Sequence, residues 1–300
     1  MRVLVTGARG FVGSTLCVML TEGGYDVRTI SRSDVGEIDG TTDWRAALRG
    51  VEYVVHLAAR VHVLHDPNSA LYAQTNAEGT RRLAETAARA GVRRLVFVSS
   101  IKVNGEETTG RAYTAADKPN PMDAYGESKL LGEQCLWRIA AQSSLEVAIV
   151  RPPLVYGPGV RANFLRLMAL VDRGLPLPLG SVRNRRSLVN VWNLSDFVVT
   201  LLSHPAAVGR TWLVSDGEDL STAELVRKIA RALDRPARLL PVPVGLLSLV
   251  ARLAGRKAEL SRLLGSLVVD SSPAQRELGW VPPVAIDVAL ARTAAWYRNQ

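Results

Sequence analysis

Cysteine is nearly absent. The 300 residues hold only Cys17 and Cys135, both inside apolar helical patterns. Two such residues exclude a disulfide framework and a cysteine-based zinc site. The four histidines fall at no ligand-like spacing, so no metal is expected. Lysine is scarce as well: five against 32 arginines, in a chain with a formal net charge of +9. The densest basic cluster, Arg183, Arg185 and Arg186, has no neighbouring Tyr or Phe, which argues against a nucleic-acid surface and for an anionic, phosphate-bearing small molecule. Long apolar runs are missing too. The most apolar late stretch, Leu239 to Leu253, is cut by Pro241, Pro243 and Arg252 and is too short to span a bilayer, so no membrane insertion is expected. The N-terminal MRVLVTGARG passes straight into a strand and a glycine turn, with no pattern of a secretory leader. A soluble, reducing, cytoplasmic setting is the expectation. What is present, 47% hydrophobic and 22% charged residues with 24 Gly and 15 Pro, is ordinary for a folded chain with an ample core.

The first half alternates apolar strands with helices. Strands are expected at 3–7, 26–32, 51–59, 94–100 and 146–151. Helices are expected at 11–22, 44–49, 68–90 and 123–143, several of them closed by glycine. Near-continuous apolar strands separated by helices imply a parallel sheet covered on both faces. Past Pro152-Pro153 proline and glycine interrupt every element, which reads as a smaller mixed part. The fold class is therefore α/β: a doubly wound, Rossmann-type parallel sheet over 1–155, and a mainly substrate-binding part over 156–300 that returns some segments to the sheet.

Strand 1 ends in Thr6-Gly7-Ala8-Arg9-Gly10-Phe11-Val12-Gly13 and enters a helix directly. Gly7 permits the tight turn, Gly10 lets the backbone approach a pyrophosphate, and Gly13 lets helix and strand pack closely. The amides at the helix start, through Phe11 and Val12, then face the phosphates. This placement in a βαβ unit marks a dinucleotide site. Where an acidic residue normally grips the ribose 2′-hydroxyl, strand 2 offers Ser31-Arg32-Ser33, with Arg9 in the glycine turn. Arginine pairs with a 2′-phosphate that a carboxylate would repel, so NADP is the expected cofactor, with NAD possible.

Ser100 ends the fourth strand, and Tyr125 and Lys129 lie four apart on one helical face near the next helix start. Ligands of open α/β sheets bind at the carboxyl ends of the strands, where Ser100 falls. Moving a hydride at a carbinol carbon requires a proton to move on its oxygen. A phenol can do this if a nearby ammonium and a nicotinamide cation stabilise its phenolate; about 3 pKa units correspond to roughly 4 kcal/mol. Tyr125 is the expected acid/base, lowered by Lys129, with Ser100 holding the reacting oxygen.

The chain resembles an extended short-chain dehydrogenase/reductase of the NAD-dependent epimerase/dehydratase family, which acts on nucleotide sugars. The similarity runs through TGARGFVG (6–13), VVHLAA (54–59), TNAEGT (75–80), VSSIKVNG (98–105), YGESK (125–129), RPPLVYGPG (151–159) and RELGW (276–280). The resemblance implies that Leu57, Ala58 and Ala59 line the cofactor cleft, that Asn76 braces the site, and that Glu37 and Ile38 lie near the adenine. It implies that the segment from Pro152 to Val155 passes the nicotinamide, and that Asn163, Arg186 and, more weakly, Arg262 hold the substrate diphosphate. Asn104 stands where the family commonly has a substrate-facing tyrosine. Relatives suggest a homodimer through helices 68–90 and 123–143. Three reactions suit such a site. Dehydration is disfavoured, because Ile101-Lys102 replaces the Asp-Glu pair of dehydratases. The basic end of strand 2 favours NADPH-dependent reduction of a UDP-4-keto-6-deoxy-hexosamine, and SSIKVNG and NRRSLVN resemble a bacterial branch making UDP-N-acetylquinovosamine-type precursors. The alternative is a UDP-sugar 4-epimerase of the glucose or N-acetylglucosamine type; a non-catalytic dinucleotide sensor is the distant one.

Overall fold

In a computed structural model, residues 1–61, 69–253 and 263–300 are described. Six strands, β1 (Arg2–Thr6), β2 (Asp26–Thr29), β3 (Tyr53–His56), β4 (Arg94–Val98), β5 (Glu146–Arg151) and β8 (Arg210–Leu213), form one sheet in the order β2-β1-β3-β4-β5-β8. Every neighbouring pair is parallel. Parallel pairing needs a crossover between strands, and the crossovers cover both faces of the sheet. The two-residue period divides the core. Val3, Val5, Val55, Val96 and Val150 point to one side, with Leu16 and Leu20 of α1 (Phe11–Glu22) and Leu194, Phe197 and Leu201 of α7 (Val191–Ser203). Leu4, Val54, Leu95, Phe97 and Ile149 point to the other, with Leu83 and Ala87 of α4 (Gly79–Arg89) and Leu136 of α5 (Ala124–Ala141).

Two expected helices differ. Residues 45–50 form turns, because the buried Trp44 anchors the second core and Gly50 reverses the chain at φ +68°. The helix expected at 68–90 is composite: α3 (Ser69–Tyr72), a π-helical turn at Ala73–Glu78, then α4. A π turn inside a helix commonly marks a functional site. The sixth strand, β8, carries no strong signal in the sequence and comes from beyond Pro153.

A second, three-stranded sheet joins β6 (Leu154–Tyr156), β7 (Arg186–Asn190) and β9 (Asp219–Leu220). It packs with α6 (Ala162–Asp172), α8 (Thr222–Ala232) and the C-terminal helix Ile286–Arg298 around its own core. Asp216 ties these parts together. Its carboxylate accepts from Asn190 N (2.9 Å), Asn193 Nδ2 (2.7 Å) and Tyr156 Oη (2.9 Å). Burial raises its pKa, which those donors counter.

Candidate active site

The chain order reverses direction between β1 and β3, and the glycine turn sits at that switch point. Gly7 adopts φ +71°, and a Cβ there would stand 2.8 Å from Ala58 N. A Cβ on Gly13 would meet Gly7 O at 2.2 Å, so only glycine lets α1 start this close to the strand. Gly10 caps α1 without any side-chain hydrogen bond, and the first turn holds no acidic residue. Phe11 and Val12 follow, and the uncapped amides and dipole suit an anion. These are the features of a pyrophosphate cradle, and the residues present fit a dinucleotide. Leu57 N and Ala58 N donate to Thr6 Oγ1 (3.2 and 3.1 Å), which fixes the cleft wall that runs on to Ala59. Ile38 packs on Gly79 at the start of α4, and Glu37 lies exposed beside it, its carbonyl accepting from Thr42. Pro152 is buried with its carbonyl accepting from Ile101 N (3.0 Å), and Val155 is half-buried on β6.

At the end of β2 the structure changes the electrostatic picture. Asp34 accepts from both Ser31 N (2.7 Å) and Ser31 Oγ (2.6 Å), and those bonds, with the charge of Arg9, hold its carboxyl below the usual range. A carboxylate therefore stands in α2 (Arg32–Val35), three residues past Ser31 and folded back onto it; the side chain of Arg32 lies outside the described residues.

Tyr125, Lys129 and Glu133 occupy one face of α5 at four-residue intervals. Asp123 caps this helix by accepting from Gly126 N (2.8 Å). Tyr125, half-buried, faces Ser100, whose hydroxyl accepts from Lys102 N (3.2 Å). Lys129 is 1% exposed, and its ammonium sits 4.1 Å above the Phe97 ring. Glu133 accepts from Ser99 Oγ (2.5 Å) and from Arg151 through Nε (2.9 Å) and Nη2 (2.5 Å), a buried bidentate pair. This pair fastens α5 to β5 and to the end of β4, so the spacing of Tyr125 from Ser100 is set by packed structure.

The proton affinities correct one expectation. Burial pushes the Tyr125 phenol up to about 12; the Ser100 hydroxyl opposes this and Asp123 adds to it. Burial pushes Lys129 down to about 7, opposed by Glu133. Lys129 is thus only partly charged at neutral pH, and the chain by itself does not make Tyr125 acidic. Desolvation outweighs the neighbouring cation.

Asn76 lies in the π turn, buried. It accepts from Arg60 N (2.8 Å) and donates to Arg60 O (2.9 Å) and to Ser128 Oγ (2.9 Å), bracing α5 beside Tyr125. Its carbonyl ends a buried relay. Thr80 Oγ1 donates to Asn76 O (2.7 Å), so Thr80 must accept from His56 Nε2 (2.9 Å), which leaves His56 Nδ1 to accept from Thr6 Oγ1 (2.7 Å). His56 is therefore neutral, and burial, with the charge of Lys129, pushes it down to about 3. The relay connects the glycine turn to the helix that braces α5.

The substrate candidates divide. Arg186 begins β7, is largely buried, donates to Gly265 O (3.0 Å), and faces the charges of Glu106 and Glu107 on the loop after Ser100. Asn163 is exposed in the first turn of α6. Arg262 lies outside the described residues. Asn104 differs from the expectation: it is buried, its Oδ1 accepts from Arg151 Nη1 (2.9 Å) and its Nδ2 donates to Thr114 O (3.0 Å). Its polar atoms serve the Glu133–Arg151 network, not a sugar. Glu133 and Arg151 were missed in the sequence, although an arginine in the apolar strand EVAIVR demands a buried partner. Lys102, ion-paired with Glu106 (2.8 Å) and Asp123, fills the place where a dehydratase keeps an acid/base residue.

Residues 3–215 match the model of the NAD dependent epimerase/dehydratase family. The chain belongs to that family. It is an extended short-chain dehydrogenase/reductase enzyme of the nucleotide-sugar type. It is 44% identical to a UDP-glucose 4-epimerase of Vibrio cholerae, across 97% of this chain and 94% of that one. It is 32% identical to a UDP-glucose 4-epimerase of Mycolicibacterium smegmatis, across 100% and 99%. Among solved structures, MoeE5 in complex with UDP-glucose and NAD superposes with a TM-score of 0.77 at 26% identity, covering 100% of this chain and 99% of that one.

Proposed function

We propose that this enzyme is a UDP-hexose 4-epimerase that retains NAD. The observation that carries the reading is the near-full-length similarity to the Vibrio cholerae UDP-glucose 4-epimerase, joined to a Tyr125 that faces Ser100 at the carboxyl edge of the sheet. Gly7, Gly10, Gly13, Leu57, Ala58, Pro152 and Val155 would hold the dinucleotide, which supplies reversible hydride acceptance and a positive charge. Ser100 hydrogen-bonds the sugar 4-oxygen and keeps it within reach of the Tyr125 hydroxyl. Tyr125 takes the proton from that oxygen and later returns it. Its high proton affinity in the cofactor-free chain makes it a poor base until positive charge is added beside it, which couples proton transfer to an occupied site. Lys129 holds ribose hydroxyls and adds charge on protonation. Arg186 would take the diphosphate.

NADPH-dependent reduction of a UDP-4-keto-6-deoxy-hexosamine would use the same proton path. Its support is the Ser31-Arg32 ending of β2, and the Asp34 carboxylate held at Ser31 weighs against it. An acid at this position favours a free 2′-hydroxyl, and hence NAD. The test is incubation of the purified enzyme with UDP-glucose or UDP-N-acetylglucosamine, read by NMR at the sugar C4 while reduced cofactor is followed optically. Interconversion of the C4 epimers with no net cofactor consumption is expected. Stoichiometric NADPH oxidation on a 4-keto sugar, without interconversion, would replace this reading by the reductase.

A further inference from the structure

The apolar stretch Leu239–Leu253 has no part in the site, and the structure leaves much of it in the open. Leu246 and Leu249 on α9 (Val244–Leu253) are 53% and 54% exposed, and Leu240 and Val244 are exposed before them. Leu246 and Leu249 stand three apart, so they share a helical face, which the exposed Arg252 continues three residues on. Leu175, also exposed, belongs to the same ledge. Its near neighbour Leu177 donates to Arg238 O (2.8 Å) and accepts from Leu240 N (2.8 Å).

Charge gathers at this place. From Arg227 to Arg252 the chain has six basic residues against one acidic, five of its nine net positive charges within 26 residues. Lys228 turns to Asp287 (3.0 Å) and Arg235 to Asp172 (3.0 Å), while Arg227, Arg231, Arg238 and Arg252 are exposed.

We propose that α9 and the loop before it dock this enzyme reversibly on an anionic lipid surface. Aliphatic side chains flanked by guanidinium groups suit the bilayer boundary: the leucines enter the acyl edge and the arginines meet headgroup phosphates. A helix of ten residues is about 15 Å long, half the hydrocarbon thickness, so it lies on the surface and does not cross it. Among the described residues no helix is long and apolar enough to cross a membrane. The exposed residues are aliphatic, without the aromatic anchors that dominate protein–protein hot spots, which favours lipid over a protein partner.

The test is flotation of the full chain with vesicles of phosphatidylglycerol and phosphatidylethanolamine, against vesicles of phosphatidylcholine alone. The enzyme is expected to float with the anionic vesicles and to leave them as salt rises from about 0.1 M to about 0.5 M. Leu246→Ser/Leu249→Ser should weaken partitioning roughly tenfold or more, with circular dichroism and turnover of soluble nucleotide sugar unchanged. Arg231→Gln/Arg238→Gln should reduce the preference for anionic over neutral vesicles. Failure to float with the anionic vesicles overturns the proposal. So does flotation indifferent to the leucine pair, and so does a doubled solution mass that the leucine pair abolishes, since that outcome assigns the face to a second copy of the chain.

Discussion

The carboxyl edge of the six-stranded sheet and the small lobe around β7 hold their functional side chains in different ways. On the sheet edge, Tyr125, Lys129 and Glu133 follow one another at helical spacing, and each meets a partner on the adjacent strands: Ser100, Phe97, and Ser99 with Arg151. In the lobe, Arg186 reaches its place through a backbone carbonyl 79 residues away, at Gly265. The first arrangement comes from a repeating local geometry laid on a rigid sheet. The second comes from the meeting of separate segments. Substitutions at the sheet edge should therefore disturb chemistry and stability, and substitutions in the lobe should disturb substrate binding.

The largest effect is expected at Tyr125. Tyr125→Phe keeps the ring and removes the proton carrier, so kcat should fall by about 10²- to 10⁴-fold with an unchanged melting temperature; near-normal turnover would detach Tyr125 from the reaction. Next is the buried pair. Glu133→Gln leaves Arg151 with a buried charge and should cost about 3 to 5 kcal/mol in a urea titration, and a loss below about 1 kcal/mol would show that the network does not fix α5.

Lys129→Met should move stability the opposite way while abolishing activity. Because Lys129 is near 7 when folded and near 10.5 when unfolded, unfolding takes up a proton between those values. Wild-type stability should then rise with pH from 7 to 10.5 and level off below 7, a slope that the Met variant loses while gaining on the order of 2 to 4 kcal/mol at pH 7 to 8. Parallel pH-stability curves for the two proteins would contradict the burial of this ammonium. The smallest effect belongs to the lobe: Arg186→Met should raise KM for the UDP-sugar roughly 10- to 100-fold with kcat within about twofold. A fall in kcat instead would erase the distinction between the two regions.

Legibility in the sequence followed the same division. The glycine turn lies in the unit β1-α1-β2, and Ser100, Tyr125 and Lys129 lie in the unit β4-α5-β5; each depends on contacts within its own unit, and periodicity exposes such contacts. Asp34 is not marked by the sequence because it lies five residues past the end of β2 at Thr29, and only the helical turn Arg32–Val35 brings its carboxylate back to Ser31. Asn104 reads as a site residue because it stands where the family commonly has a substrate-facing tyrosine, yet its side chain turns inward to Arg151. The direction of the Tyr125 shift was also illegible. Charge spacing suggests a lowered phenol, whereas burial, a tertiary property, raises it.

The sequence alone determined the parallel α/β sheet, the glycine turn and the shared helical face of Tyr125 and Lys129, because runs of apolar residues, glycine sterics and helical spacing act over short stretches of chain. Only the tertiary structure decided that α5 is anchored through Glu133 and Arg151, that β8 completes the sheet from the far half of the chain, and that Lys129 and Tyr125 both sit in a desolvated setting. Those outcomes depend on which surfaces exclude water together, and that is fixed by the packing of segments from 18 to more than 60 residues apart.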